Sequence, residues 1–297
     1  MAPHLPAGRR HWNVRLPLRH PWSGVTFRDA TIIDGPAGFG EASPLPGFDC
    51  DPARARRSAE EAADEGWPAP RRHQVPVNAV IAALDPVTAA AEARAATGQG
   101  IVCLKVKVGA GDDLGRVSEI RNAVGPAVKI RVDANGAWDL DTACRRLRAL
   151  ARYDLELAEQ PVASLEEMAR LRRLVDVPLA ADEAVRGMAD ARRLVRLGAA
   201  DVVVVKVQPL GGVRAALAVV ETAGLPAIVT SMLETSVGLA AGLALAAALP
   251  ELPFACGLAT ATLLAADVTT EPLVPRHGML DVRPVVPDVT LLERYST

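Results

Sequence analysis

Lysine is almost absent from this chain. Of 33 basic residues in 297, only Lys105, Lys107, Lys129 and Lys206 are lysines; the others are arginine. The four cysteines, Cys50, Cys103, Cys144 and Cys256, form no CxxC pair and no Cys/His cluster. That argues against a zinc site or a disulfide framework and for a reducing compartment. The longest apolar run, Val237–Leu249, covers thirteen residues before Pro250, too few to span a bilayer. The opening MAPHLPAGRRHW has no apolar centre of the secretory-leader kind. A formal net charge of −2 leaves no basic footprint for nucleic acid. With 50% hydrophobic and 23% charged residues the chain is not a disordered one. The expectation is a soluble cytoplasmic protein with a small-molecule substrate and no nucleic-acid or membrane partner. A monomer is compatible with the sequence, which does not fix the oligomeric state.

The lysine scarcity sharpens the meaning of the four that remain. Arginine stays protonated at any working pH, whereas a desolvated lysine can give up its proton. A lysine that survives strong selection for arginine raises a chemical question at its position.

Short β-branched runs recur along the chain: QVPVNAV, IVCLKVKV, VKIRVD, LELAE, PLAAD, DVVVVK, PAIVTS and LPFACG. Their ends, from Asn78 to Gly257, are 29, 26, 26, 23, 24, 25 and 26 residues apart, the length of one strand, one crossover helix and two loops. The intervening stretches read as helices: 87–97, 114–124, 140–153, 165–175, 190–197, 213–223 and 236–249. Eight such units predict an α/β fold with a parallel β/α barrel over about 75–267; an open doubly wound sheet is the alternative. Residues 1–74 break the period. Strands at 13–18, 25–33 and 38–42 and a helix at 51–65, with Asp51 as N-cap before Pro52, predict a small α+β domain. The proline-bearing tail from about 268 to 297 shows no helical period and is expected to run back to that domain and complete it. Loops 21–26 and 43–49 are expected to close over the pocket, with Glu41 supporting its own turn.

In such a barrel chemistry gathers at the carboxyl ends of the strands. Those ends carry Lys107, Asp133, Glu159, Asp182, Lys206 and Ser231. Strand alternation puts Cys103, Lys105 and Lys107 on one face and Arg131 with Asp133 on one face, opposite apolar partners. The apolar set belongs against the helices, so the charged set points to the barrel axis. Buried charges are costly unless they pair or bind metal. Three carboxylates on adjacent strands suit a hard divalent ion, Mg2+ or alternatively Mn2+; a ring of salt bridges is the competing reading. Lys107 and Lys206 would flank the metal, where a dication favours the neutral amine. That is the equipment for removing a proton next to a carboxylate and stabilising the resulting enediolate. Among the softer candidates, Lys105 tunes Lys107 or forms a buried ion pair. Arg131 meets substrate or pairs with a ligand carboxylate, and Asn135 touches substrate or orients a ligand. Ser231, Ser236 and Gly257 place donors near an anionic substrate tail, with plain N-capping the alternative for Ser236. Lys129 is structural, and Glu183, of opposite parity to Asp182, stays out of the metal shell. A Schiff-base aldolase with Lys206 as nucleophile, or a barrel acting only as a scaffold, would each lack a use for three clustered acids.

LKVKVG, RVDANGAW, ELAEQPV, AADEAV and VVVVKVQPLGG, in that order, resemble the enolase superfamily and its muconate-lactonizing subgroup; a lysine base with Mg2+ is that superfamily's known pattern. GFGEASPLPGF resembles its capping-domain turn and SMLETSVG its seventh-strand segment. The resemblance covers nearly the whole chain and implies a capping domain on a (β/α)7β TIM-type barrel. Within the subgroup, the short chain, the abbreviated cap helices and SMLETSVG followed by GLAT are most similar to the compact actinobacterial o-succinylbenzoate synthase family. That likeness implies a Mg2+-dependent lyase of menaquinone biosynthesis. It would dehydrate 2-succinyl-6-hydroxy-2,4-cyclohexadiene-1-carboxylate, with Lys107 as base and then acid, Lys206 on the opposite face, and Asp133, Glu159 and Asp182 on the metal. N-acylamino acid racemases and dipeptide epimerases, which use the same amines and metal site, are the alternative.

Overall fold

The computed structural model describes residues 10–22, 24–48 and 50–297. Ser23 and Asp49, at the two expected covering loops, and the first nine residues of the expected N-terminal domain lie outside them.

Three antiparallel strands, β1 (His11–Trp22), β2 (Val25–Gly35) and β3 (Gly38–Ala42), form a sheet in the order β1-β2-β3. Val14, Leu16, Ala30 and Ile32 are buried on one face of its long hairpin. Helix α1 (Pro52–Asp64) begins where the sequence predicts, with Asp51 accepting from the Ala53 amide at 2.9 Å and Pro52 in the first turn. Its buried stripe is Ala55, Ala59, Ala62 and Ala63, so the helix lies very close to the sheet. At Gly40 a Cβ would fall 1.9 Å from the Ala59 carbonyl oxygen; only glycine fits.

The chain then forms β4 (Gln74–Pro76), β5 (Ala79–Ile81), α2 (Pro86–Gly98), β6 (Cys103–Lys107), α3 (Asp113–Val124), β7 (Lys129–Asp133), α4 (Leu140–Leu150), β8 (Leu155–Glu159), α5 (Leu165–Leu171), β9 (Leu179–Ala181), α6 (Met188–Leu197), β10 (Val202–Lys206), α7 (Val207–Leu210), α8 (Val213–Ala223), β11 (Ala227–Thr230) and α9 (Ser236–Ala248). Strands β5 to β11 pair in parallel, each with its sequence neighbour, in one curled sheet. Alternate residues do face opposite ways: Leu104, Val106, Ile130 and Val132 join the helix-side core, whereas Leu157, Val202, Val204 and Ile228 pack together in the interior. Helix α9 is buried at every residue, which explains a composition apolar all round.

Three expected elements take a different form. The first barrel run divides into β4, which pairs with β12 (Met279–Asp281), and β5, which pairs with β6. The eighth run shrinks to single parallel bridges, Val77 to Cys256 and Thr230 to Gly257, that close the ring. Phe254 instead turns to the interior apolar group, and Pro253 has no amide to add to a ladder. The tail does hold a helix, α10 (Val289–Arg294), too short to show a period and capped by Asp288 accepting from the Thr290 amide. Beyond it the Arg15 amide donates to the Tyr295 carbonyl and the Thr297 amide to the Asn13 carbonyl. Among the described residues no helix is long and apolar enough to cross a membrane.

A buried polar seam joins the N-terminal sheet to the barrel. Glu41 does more than support its turn: it accepts from Ser43 Oγ at 2.6 Å, from the Thr235 hydroxyl, and from the amides of Thr235 and Gly238 at the start of α9. Gln208, two residues beyond Lys206, accepts from the Ser43 amide at 2.8 Å and donates to its hydroxyl at 3.0 Å. Arg28 reaches the carbonyls of Leu233 and Ser43. Burial pushes the Glu41 carboxyl up to about 7, a rise limited by Ser43, Thr235 and Arg28 and helped by Glu234. A carboxyl raised on folding contributes stability below its unfolded value, near 4.5, and loses it as pH climbs through about 7. Between pH 5 and pH 8 the parent protein is therefore expected to lose up to about 3 kcal/mol relative to Glu41→Gln. Urea midpoints of both proteins at the two pH values measure this, and parallel shifts would refute it.

Candidate active site

Parallel pairing sets Lys107 opposite Asp133 and Asp133 opposite Glu159, so three strand ends fall in one row. Asp182 directly follows β9, and Lys206 ends β10. Asp133, Glu159 and Asp182 are all buried. After Asp133 the chain turns sharply: Asn135 and Gly136 take left-handed φ of 46° and 71°, a conformation that Asn tolerates and Gly favours. The turn returns the Asn135 amide to Asp133 Oδ1 at 2.9 Å. Gln160, also left-handed at φ 36°, leaves the β8 direction, and its Oε1 accepts from the Asp182 amide at 2.8 Å.

The acids face ammonium groups. Lys105 Nζ lies 2.5 Å from Glu159 Oε1 and 2.8 Å from Asp133 Oδ2. Lys107 Nζ lies 2.6 Å from Asp133 Oδ2 and donates to Asn135 Oδ1 at 2.7 Å. Lys206 Nζ contacts both oxygens of Asp182, with Oδ2 at 2.5 Å. Burial alone would raise the Asp133 carboxyl, but Lys105 and Lys107 hold it well below the usual range. Asp182 is likewise held down against burial by Lys206 and Lys105. Glu159, with only Lys105 to oppose burial and with Asp133 and Asp182 beside it, is pushed up to about 8. Burial would lower the Lys206 amine, yet Asp182 and Glu183 raise it. The expected fall of that amine is thus reversed while the acids are its counter-ions.

Lys105 forms the buried ion pair that was one of its two readings. Asn135 bridges Lys107 and Glu183, donating to Glu183 Oε1 at 2.8 Å. Glu183 faces the site although strand parity argued otherwise, because β9 stops at Ala181 and alternation no longer governs 182–183. Lys105, Lys107, Lys206, Ser231 and Gly257 line one cavity of about 80 Å³. Ser231 Oγ is engaged there with the Gly257 carbonyl and Thr260 Oγ1 at 2.7 and 2.8 Å. Trp22, Leu45 and Phe48 from the N-terminal domain, with Met232, supply apolar wall. Trp22, at the end of β1, and Leu45 and Phe48 belong to the two segments expected to cover the pocket; strand period carried no signal for Met232 or Gln160, which lie outside the strands.

Two candidates sit elsewhere. Arg131 neither faces the cavity nor pairs with one of the three acids. Its position one layer below Asp133 puts it at the barrel floor, with Nε 2.5 Å from Glu156, Nη1 donating to the Ala255 carbonyl at 2.8 Å, and Phe254 under its guanidinium. Ser236 follows the true N-cap of α9, Thr235, and ties the helix to the tail: its Oγ donates to Asp267 at 2.6 Å and accepts from the Leu273 amide. Lys129, at the opposite end of β7, is exposed. Burial pushes the Cys103 and Cys256 thiols up to about 12 and 11.

Three buried carboxylates on neighbouring strands are an all-oxygen donor set suited to a hard divalent cation. Among the described residues no three Asp, Glu, His or Cys side chains already surround one point; each acid has turned to an ammonium instead. The charge is thus balanced internally, and the donor chemistry fits an ion that would take over that balance.

Comparison with known proteins agrees with this architecture. The enolase C-terminal domain-like family model matches residues 88–287 and the enolase N-terminal domain-like model residues 13–63. An o-succinylbenzoate synthase from Thermobifida fusca is 52% identical over 278 residues, 91% of this chain and 86% of that protein. One from Mycolicibacterium smegmatis is 45% identical over 93% of this chain and 86% of that protein. The muconate lactonizing enzyme from Pseudomonas fluorescens complexed with muconolactone superimposes with a TM-score of 0.88 at 25% identity, covering 98% of both chains. The chain belongs to the enolase superfamily, within the o-succinylbenzoate synthase family.

Proposed function

We propose that the protein is a Mg2+-dependent lyase that dehydrates 2-succinyl-6-hydroxy-2,4-cyclohexadiene-1-carboxylate to o-succinylbenzoate, a step of menaquinone synthesis. One observation carries the reading: Lys107 and Lys206, two of four lysines, line a single cavity beside three buried acids. The relatives' name supplies the product, o-succinylbenzoate, and the family resemblance the substrate.

Asp133, Glu159 and Asp182 are the residues to hold the cation. When bound, Mg2+ supplies fixed positive charge at the substrate carboxylate and disfavours the ammonium form of a neighbouring amine. Lys107, as the neutral amine, takes the proton alpha to that carboxylate and leaves an enediolate. The C–O bond at ring position 6 then breaks, the Lys107 ammonium returns the proton to the departing hydroxide, and water leaves with an aromatic ring behind it. Lys206 faces the ring from the other flank as a cation. In the metal-free protein Asp182 and Glu183 raise its amine against burial; as a cation it suits charge stabilisation and cation–π contact. Asn135 holds Lys107 towards the cavity through its 2.7 Å hydrogen bond. The apolar Trp22, Leu45 and Phe48 exclude water from the enediolate.

Loss of diene absorbance on the cyclohexadiene substrate tests the reading. Activity is expected to vanish with EDTA and to return with Mg2+. Lys107→Ala and Lys206→Ala should each lose about 10³-fold in kcat with near-ultraviolet circular dichroism unchanged; near-normal turnover by either would refute that amine's role. Racemisation of N-succinyl amino acids without dehydration would favour the racemase reading instead. Lys105 has a different task. Lys105→Met leaves Asp133 and Glu159 short of their shared counter-ion and should cost about 3–5 kcal/mol of stability in the metal-free protein, read from the urea midpoint.

A further inference from the structure

The cavity at the two lysines is too small for the proposed substrate. About 80 Å³ falls well below the ~300 Å³ at which small-molecule sites begin, and the substrate carries a carboxylate and a four-carbon acyl chain on a six-membered ring. A second cleft of about 530 Å³ adjoins it, the two sharing Phe48, Asp182, Glu183, Lys206 and Met232 as common wall. That volume lies in the ordinary range for small-molecule sites. The outer cleft runs between the start of α1 and the loops behind β9 and β10, and it carries charges of both signs.

Lys206 and Arg186 match Asp182 and Asp190, and among the described residues Arg54 is then the cation that meets no carboxylate, with Asp51 and Glu183 held by uncharged groups. Asp182 is engaged by Lys206, and Glu183 by Asn135. Asp51 caps α1, and Asp190 accepts from the Arg186 amide at 3.0 Å and lies 3.5 Å from its guanidinium. Arg54, half-buried in the cleft wall, meets only carbonyl oxygens among the described residues. Its Nη1 donates to the Arg186 carbonyl at 2.5 Å and the Pro209 carbonyl at 3.1 Å. Nε and Nη2 are not used in these bonds. The carbonyls fix the guanidinium in place, from α1 to both loops, without neutralising it. A planar fork held this way with donors to spare is suited to a carboxylate.

We propose that Arg54 binds the terminal carboxylate of the substrate's acyl chain in this outer cleft, with the ring seated where the two spaces join, beside Lys206. The assignment rests on the function proposed above and names the group that would select a dicarboxylate over a monocarboxylate. Arg54 therefore determines specificity at a point remote from the bonds that change.

Calorimetric titration of the Mg2+-loaded protein with o-succinylbenzoate and with 2-butyrylbenzoate, which has a methyl group in place of the terminal carboxylate, tests it. The parent should bind o-succinylbenzoate at least tenfold more tightly. Arg54→Met should reduce that preference to less than threefold by weakening o-succinylbenzoate binding while binding 2-butyrylbenzoate as the parent does. A merely structural Arg54 would weaken both ligands alike, and a preference kept in Arg54→Met would overturn the assignment. Should Arg54→Met fail to fold, Arg54→Gln, which keeps a donor for the carbonyls without the charge, is held to the same criterion. A parent protein that turns over the cyclohexadiene substrate while either variant keeps the preference sinks only the role of Arg54. A parent that neither turns it over nor binds either ligand sinks the proposed function as well.

Discussion

Three carboxylates from adjacent strands, all out of reach of bulk water, cannot stand uncompensated, and the interior of this barrel is organised around that demand. Lys105, Lys107 and Lys206 meet it. Their separate placements divide the labour. Lys105, the more buried and shared between two acids, is electrostatic ballast. Lys107 and Lys206 stand at the cavity, where their charge can be exchanged for that of a metal and a substrate. The arrangement makes the site a closed set of ion pairs; on the proposed function, a cation that took over the acids would release the amines. A buried ion pair is weak ground for stability in itself; here it holds reactive groups ready in a low-dielectric place.

Much of this was legible in the sequence because the barrel repeats. Strand ends fall 23 to 29 residues apart, and a period of two along each strand decides which side chains look inward, so Lys107, Asp133, Glu159, Asp182 and Lys206 could be placed by counting. The failures lie where the repeat stops. Arg131 shares its face with Asp133, but a face has depth, and two residues down the strand is another layer of the barrel. Ser236 sits one residue too far along for the cap and is claimed by Asp267, thirty-one positions later. Glu183 reaches the site because the strand has already ended. Ser43 meets Gln208 across 165 positions and Glu41 meets Thr235 across 194, in a junction that no local pattern encodes.

That junction shows how the two parts cooperate. Ser43 is gripped by Gln208, just beyond Lys206, while Glu41 sits on the first amides of α9, just beyond Ser231. The segment that follows carries Leu45 and Phe48 into the cavity wall. The apolar cover is thus anchored to the loops behind two of the strands it covers, and its position relative to Lys206 is fixed by buried hydrogen bonds.

The splice between β1 and residues 295 to 297 has a consequence for folding. The outer edge of β1 is paired by those residues, which stand on the far side of the whole barrel in sequence. The three-stranded sheet is therefore incomplete until the chain has closed over that span. Until it has, an open strand edge is exposed to other chains, and a pairing of such large sequence separation is a slow event in folding.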